Sequence, residues 1–391
     1  MSDLASRRLL LPMRPRSPAE EHRAATPLEL FFDLVFVVAI AQAATGLHHG
    51  VAEAHVGEAL LGYAMVFFAI WWAWMNFTWF ASAYDPDDVA YRLVVFVQLT
   101  GALILAAGVP EALAGQDWRI VAVGYVVMRL ALVGQWLRAA RSDPQRAAGA
   151  LRYAIGIGLV QAAWIWFAFG SVDERWGVPL FVALAACELL VPAWAERRAP
   201  TPWHPGHMAE RYGLMTIIVL GESILAATVG LEAATAAAGL TPALAEIIAG
   251  GLLIVFSMWW LYFHRPVEPL LEGAPLRRAF TWGYGHYFVY AAGAAVGAGI
   301  AVATDQVTAQ GTIGAFGAQM ALAAPVALFL FVLWLLHELQ HPEVPTRAYG
   351  PVAAGLVLLT PFTGHAVLAT GGILATLLAW KLRTGTSTPR G

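Results

Sequence analysis

Residues 28–47 read LELFFDLVFVVAIAQAATGL, and this stretch decides the fold. It is twenty residues long, about the length of α-helix that crosses the hydrocarbon core of a bilayer. Its only charged residues are Glu29 and Asp33. Comparable apolar runs recur along the chain as far as residue 380. The sequence therefore predicts an all-α polytopic integral membrane protein.

The composition agrees with this prediction. The 391 residues are 59% hydrophobic and 13% charged, whereas about a quarter of the residues of a soluble domain are charged. The net charge of -3 and the absence of a basic patch argue against nucleic acid as a partner. Membrane lipids and an unknown small molecule or ion are the partners we expect, and the oligomeric state stays open. A single cysteine, Cys187, excludes a multi-cysteine metal site. We assign no metal ligand, cofactor or catalytic residue from the sequence, and the binding of a metal, haem or lipid stays open.

Ten apolar runs are long enough to span a bilayer. They lie near residues 28–47, 57–80, 90–109, 118–138, 150–170, 177–195, 210–230, 243–264, 279–303 and 312–336. The last apolar stretch, 350–380, is long for one helix and short for two, and Pro361 and Gly364 interrupt it. We favour twelve transmembrane helices, the last two short and hinged at 361–364, with eleven as the alternative.

The distribution of arginine predicts the orientation. Arginines are concentrated in the N-terminal tail and in the loops at 138–152, 196–211 and 265–278, whereas the loops at 48–56, 231–242 and 304–311 contain no Lys or Arg. By the positive-inside rule, the N-terminus is cytoplasmic. The C-terminal Lys381, Arg383 and Arg390 should lie on the same side, which requires an even number of spans. We expect a multi-pass protein of the bacterial inner (cytoplasmic) membrane.

An internal repeat supports the count of twelve. A glutamate is followed at the same offsets by Gly, Phe and Trp-Trp in two places: Glu58, Gly62, Phe68, Trp71, Trp72 and Glu246, Gly250, Phe256, Trp259, Trp260. Because these segments are the second and eighth spans, the two halves have the same orientation and form parallel repeats. We predict a cytoplasmic polar tail at 1–27, six-helix repeats at 28–196 and 207–383, and a second cytoplasmic tail at 384–391.

The segment from Glu29 to Gln42 resembles the opening signature of the bacterial low temperature requirement protein A (LtrA) family. The segments 207–214 and 221–223, together with the Trp-Trp helix ends, fit the same family. The resemblance covers roughly residues 26–380. It implies a polytopic membrane protein named for a cold-growth phenotype, and it implies no particular biochemical activity.

The ionisable residues within the spans are the candidates for function, because a charge at the bilayer centre costs roughly 2.5–3.5 kcal/mol on insertion scales. Glu29 and Asp33 lie four residues apart, so both carboxylates share one helix face. One interpretation is a proton or cation site. The alternative is that both acids complement the helix N-terminus or pair with arginines.

The seventh span carries the residue that we regard as most informative. Glu222 lies twelve residues beyond Glu210, about 18 Å deeper at 1.5 Å per residue, and therefore near the bilayer midplane. On a helical wheel it falls on one stripe with Arg211 and His207. We interpret Glu222 as a proton-binding or substrate-binding carboxylate. The alternative is a structural salt bridge or hydrogen bond between helices.

Three further ionisable residues are predicted to lie inside spans. Arg129 and Glu188 could pair with each other, or with Asp33 and Glu222. His286 lies among aromatic residues and could relay protons, although a hydrogen-bonded core histidine is the more common explanation. His337, Glu338 and His341 are expected to form a solvated helix end. The complete candidate pathway comprises Glu29, Asp33, Arg129, Glu188, His207, Glu210, Arg211, Glu222 and His286.

Three functions remain open on the sequence alone. A secondary transporter or proton-coupled permease of unknown substrate accounts best for ionisable groups inside the spans. A membrane-embedded enzyme acting on a lipid or isoprenoid would instead present a pocket with a metal held by histidines. A structural or sensory membrane protein would have its buried charges fully paired.

Overall fold

Thirteen helices are present in the described parts of the chain, residues 9–17, 20, 23–115, 117–340 and 348–385 of a computed structural model. These residues contain no strand, and helix accounts for 82% of the structure. The predicted C-terminal tail, 384–391, lies largely outside the described residues. The helices are α1 (Pro27–Ala52), α2 (Val56–Ala83), α3 (Val89–Leu113), α4 (Arg119–Ser142), α5 (Ala147–Phe169), α6 (Glu174–Ala195), α7 (Pro205–Ala238), α8 (Pro242–Phe263), α9 (Glu268–Leu271), α10 (Leu276–Val307), α11 (Ala315–Leu333), α12 (Tyr349–Leu359) and α13 (Ala366–Gly385).

Local sequence signals explain where several helices begin. The Thr26 hydroxyl accepts from the Glu29 amide, and the Glu29 carboxylate accepts in return from the Thr26 amide at 2.8 Å, which is a capping box. Asp88 and Thr241 accept amide hydrogen bonds at the starts of α3 and α8. These caps satisfy backbone N–H groups that have no partner within the helix.

Eleven of the described helices are long and apolar enough to cross a membrane. The shorter apolar segment Tyr349–Thr363 consists of α12 and a 3₁₀ turn over Thr360–Thr363. It ends at Gly364, whose φ of 77° favours glycine. The helical membrane fold with eleven or twelve spans and the break at 361–364 are both confirmed. Most helices extend about a turn beyond the apolar runs, because polar residues at their ends continue the helical hydrogen bonding.

The outward side chains explain why this molecule needs a membrane. Large apolar residues such as Leu159, Val182 and Leu225 are exposed, while Asp33, Glu188 and Arg211 are fully buried. A soluble protein shows the reverse distribution. Apolar surface on this scale is stable only against lipid. The chain is therefore a multi-pass membrane protein.

The helices form two compact units. The first unit comprises residues up to Gln42 together with Met65–Arg211, and the second comprises Ala43–Ala64 together with the chain from Tyr212 onward. Packing thus assigns the hairpin at 43–64 to the second unit, whereas the predicted repeats divide the chain between 196 and 207. The repeat concerns sequence symmetry rather than packing and stays a prediction.

Candidate functional site

Arg211 is the centre of a buried ionic cluster in the first unit. Its Nε and Nη2 donate to the two oxygens of Asp33 at 3.0 and 2.6 Å. Its Nη1 lies 2.9 Å from Oε1 of Glu29. All three side chains are at most 1% exposed. One guanidinium therefore binds both carboxylates of α1, and the i,i+4 spacing of the two acids matches the width of its donor fork.

Two further basic side chains lie close to Glu29. Nε2 of His207 lies 3.1 Å from its Oε1, and Nη2 of Arg23 lies 4.0 Å from the same atom. Arg23 also donates to the carbonyls of Ala81 and Ser82, at the C-terminal end of α2. The N-terminal segment is thus packed into the first unit at this point, and it places a positive charge where the helix dipole favours one.

Helix α2 completes the coordination of Asp33. The indole nitrogen of Trp74 donates to Asp33 Oδ1 at 2.7 Å, and the Thr78 hydroxyl lies one turn further along, 3.4 Å from Arg211. Asp33 therefore has one charged partner, Arg211, and one neutral partner, Trp74. Of the two interpretations of Glu29 and Asp33, this geometry agrees with pairing to arginine. Neither Trp74 nor Thr78 was identified from the sequence, because their roles depend on α2 packing against α1.

Asp85 lies beside this cluster, in the loop between α2 and α3. Its side chain is half-buried, and burial raises the pKa of its carboxyl to about 6. The negative charge of Glu29 adds to this rise, and the positive charge of Arg23 opposes it. The charge of Asp85 can therefore change near neutral pH.

Glu210 occupies a different position from its neighbour Arg211. Its side chain is exposed and accepts from the backbone amide of Ala25 at 3.0 Å. This contact ties the start of α7 to the segment before α1. Its place in a pathway stays a prediction.

Arg129 and Glu188 form a second buried ion pair in the first unit. Nη2 of Arg129 donates to Glu188 Oε2, and the two side chains are 1% and 0% exposed. Tyr125 donates to Glu188 Oε1 at 2.9 Å, and Trp72 donates to Oε2 at 3.0 Å. Of the pairings that the sequence left open, the structure selects the one between these two residues.

Glu222 differs from the other buried carboxylates of the spans. It lies in the second unit, 4% exposed, and its Oε2 has no hydrogen-bond partner among the described residues. Within the same set, no cationic side chain forms an ion pair with it. The sequence placed it on one stripe with His207 and Arg211, but packing assigns those two residues to the first unit.

The part of α7 that contains Glu222 packs closely against α10. The next residue, Ser223, donates to the Gly293 carbonyl at 2.8 Å. A Cβ on Gly297 would lie 2.8 Å from the Cα of Ser223, so α7 and α10 pack at nearly backbone contact. Gly293 and Gly297, four residues apart on α10, thus form a close-packing face against α7. The Glu222 carboxylate also lies near enough to the phenol of Tyr63 to act on it electrostatically.

His286 is fully hydrogen-bonded in the second unit. Its Nδ1 donates to the Trp282 carbonyl at 2.8 Å, and its Nε2 therefore accepts from the Tyr262 hydroxyl at 3.0 Å. The rings of Tyr212 and Tyr290 also lie close by. This arrangement suits a neutral imidazole, in agreement with a hydrogen-bonded core histidine.

The expectation of a solvated helix end at His337 was wrong. His337 is 5% exposed, and its ring centroid lies 5.8 Å from that of His286. A π-helical turn over Trp334–Glu338 extends α11 and turns this side chain inward. Glu338 pairs with Lys381, and His341 lies outside the described residues. Periodicity assumes a regular α-helix and could not reveal this shift.

Among the residues for which a structure is described, no three His, Cys, Asp or Glu side chains meet as metal ligands would. His48 is paired with Asp305 at 2.6 Å.

These features define a class of protein, a polytopic helical membrane protein with ionisable side chains buried between its helices. Its family follows from comparison. The family model described as bacterial low temperature requirement A protein (LtrA) matches residues 24–382, and the chain belongs to this family. It is also 26% identical over 383 residues to an uncharacterized protein of Rhizobium meliloti (strain 1021), covering 93% of this chain and 90% of that protein. No solved structure matches.

Proposed function

We propose that this protein is a proton-coupled secondary transporter, a permease for a small molecule or ion, in the bacterial inner membrane. One observation carries the proposal. Glu222 is a carboxylate buried deep in α7 with no cationic partner among the described residues.

The depth of Glu222 makes this arrangement costly unless the carboxylate is neutralised. It lies 17 residues from the start of α7, about 26 Å along a helix that rises 1.5 Å per residue. An uncompensated charge at such a depth is one of the most unfavourable groups in a membrane protein. A bound proton removes the charge, and a residue that gains and loses a proton at this depth can couple proton movement to transport.

The other buried acids do not have this property. Glu29 and Asp33 are bound by Arg211, and Glu188 is bound by Arg129. Fully paired charges are what a structural or sensory membrane protein would contain, and these two clusters support that alternative. Glu222 is the residue that distinguishes the two functions.

The membrane-enzyme alternative has a different requirement. It needs a pocket with a reactive group, such as a metal held by histidines. The buried His286 and His337 lie near each other, as do the buried His204 and His207. The described chain adds no third ligand to them. We therefore rank this alternative below the transporter.

Proton flux in liposomes tests the proposal. Purified protein is reconstituted into liposomes that contain a pH-sensitive dye. A proton gradient is imposed, and the dye signal is followed for the wild type and for Glu222→Gln. We expect the substrate-dependent proton flux of the glutamine variant to be at least tenfold lower than that of the wild type, because an amide cannot take up a proton at neutral pH.

Glu232→Gln is the matched control, since Glu232 lies on the same helix with an exposed side chain. It should transport as the wild type does. If Glu222→Gln folds normally and retains every measured flux, Glu222 is not a coupling residue and the proposal fails.

A further inference from the structure

Buried hydrogen-bonding groups without a partner among the described residues occur on the neighbouring helices α4 and α5 of the first unit. Nη2 of Arg129 binds Glu188, but its Nε and Nη1 are buried without a hydrogen-bond partner in the described chain. Among the described residues, Gln161, 1% exposed, has no hydrogen-bond partner for either amide atom, and the indole nitrogen of Trp164 has none. Such groups are expensive in a membrane interior.

The helix register places these groups within about one helical turn of one another. Tyr125 contacts Trp164 with ring centroids 6.2 Å apart, and Trp136 stacks on Tyr153 at 4.1 Å. The two helices are antiparallel: eleven residues of α4, from 125 to 136, cover the same length as eleven residues of α5, from 164 to 153. In this register Gln161 lies level with Met128, which is next to Arg129. Gln161 lies on the same face of α5 as Tyr153 and Trp164, which is the face that contacts α4.

An apolar cavity of about 40 Å³ lies beside this level. Tyr125, Trp164 and Phe181 are among the aromatic residues that line it. A cavity of about 150 Å³ is known to hold benzene. The present cavity is smaller and fits a methyl or ethyl group better than a six-membered ring.

We propose that Arg129, Gln161 and Trp164 form a binding site for a short-chain monocarboxylate of two or three carbons. The ligand carboxylate accepts from Arg129 Nε and Nη1, the Gln161 amide and the Trp164 indole. Its alkyl end enters the aromatic cavity. This inference rests on the proposed function, because it takes the bound anion to be the molecule that is transported.

Charge balance couples the anion to a proton. Arg129 and Glu188 are neutral together, so an additional anion would leave a net negative charge in a low-dielectric interior. A proton carried on the ligand's own carboxyl group removes this charge and leaves the Arg129–Glu188 pair intact. One proton therefore enters the site with each anion.

Equilibrium binding of radiolabelled propionate to the purified full-length protein tests this site. We expect saturable binding whose affinity rises as the pH is lowered from 7.5 to 5.5, by at most tenfold per pH unit for one coupled proton. Unlabelled acetate should compete, whereas benzoate and the uncharged propionamide should not.

Gln161→Leu keeps the Arg129–Glu188 pair and removes an unpaired polar group. It should weaken propionate binding at least tenfold while the melting temperature stays equal or rises. Gln98→Leu is the matched control, because Gln98 is also buried but donates to Gln135 instead. It should bind propionate as the wild type does.

Binding that is unaffected by Gln161→Leu, equally weakened by Gln98→Leu or independent of pH would overturn the inference. Absence of propionate binding would overturn it as well, even if a flux that depends on Glu222 retained the proposed function. Propionate binding with the expected pattern but without proton flux would support the site and refute transport.

Discussion

Arg211 shows how single residues determine the interior of this protein. Removing a buried ion pair's partner leaves an uncompensated charge, which typically costs 3–5 kcal/mol. Asp33 and Glu29 share this one guanidinium, so the stability of α1 in the first unit depends on a residue almost 180 positions away. The same rule makes Glu222 distinctive, since its carboxylate has no such partner in the described chain.

Asp85 gives a pH-dependent prediction at this scale. Its pKa is about 6 in the folded protein and near 3.9 in an unfolded chain. Because the folded value is raised, its contribution to stability is fully present below about pH 4 and is lost as the pH rises through about 6. The melting temperature of the wild type should therefore fall between pH 5 and 7.5.

Asp85→Asn should remove this part of the slope and melt above the wild type at pH 7.5. Thermal unfolding of the detergent-purified protein across that range provides the measurement. An identical slope in both proteins would show that Asp85 does not control it.

At the scale of elements, small residues determine how closely helices pack. Gly293 and Gly297 bring α10 against Val219 and Ser223 of α7. In a bilayer, helices gain little from excluding lipid, so close backbone approach and polar contacts such as Ser223 to Gly293 stabilise the pair. The residue that follows Glu222 is thereby fixed in place.

Gly297→Val tests this packing. A Cβ there would lie 2.8 Å from the Ser223 Cα, and a backbone atom cannot move aside without shifting the whole helix. Overpacking typically costs 1–3 kcal/mol, and we expect a loss of that order in the free energy of unfolding, with a lower melting temperature. Gly158→Val, where no atom lies within 4 Å of the added Cβ, should melt close to the wild type. Equal melting of both variants would contradict the close contact.

For the whole molecule, the remaining question is the orientation in the membrane. The arginine-rich loops predict that the N-terminus is cytoplasmic. With twelve spans the C-terminus is also cytoplasmic, whereas eleven spans place it outside. The segment Tyr349–Thr363, shorter than the other apolar helices, decides between the counts.

Single cysteines in a Cys187→Ala background test the orientation. Glu53 and Glu272 lie in exposed loops at opposite predicted sides. A membrane-impermeant maleimide should label Glu53→Cys on intact cells and Glu272→Cys only after permeabilisation. A reporter fused after Gly391 should be active in the cytoplasm if the count is twelve. The reverse labelling pattern would invert the topology, and an external reporter would favour eleven spans.

The sequence by itself determined the class, the approximate spans and the family, because each depends on local information. Twenty apolar residues must form a helix in a bilayer wherever they occur. The ionisable residues inside the spans were visible for the same reason, since a polar residue in an apolar run stands out without reference to its partners. Arg129 and Glu188 could be named as candidates in this way.

Tertiary structure alone decided what each of these residues contacts. Arg129 pairs with Glu188, and Arg211 pairs with Asp33 and Glu29. Glu222 has no cationic partner among the described residues. Each of these outcomes depends on helices that are far apart in the chain. Gln161 and His337 acquired their importance from helix register and a π-helical turn, which hydrophobic periodicity does not encode. Hydrophobicity is a property of a segment, whereas the pairing of charges depends on the mutual rotation and register of packed helices.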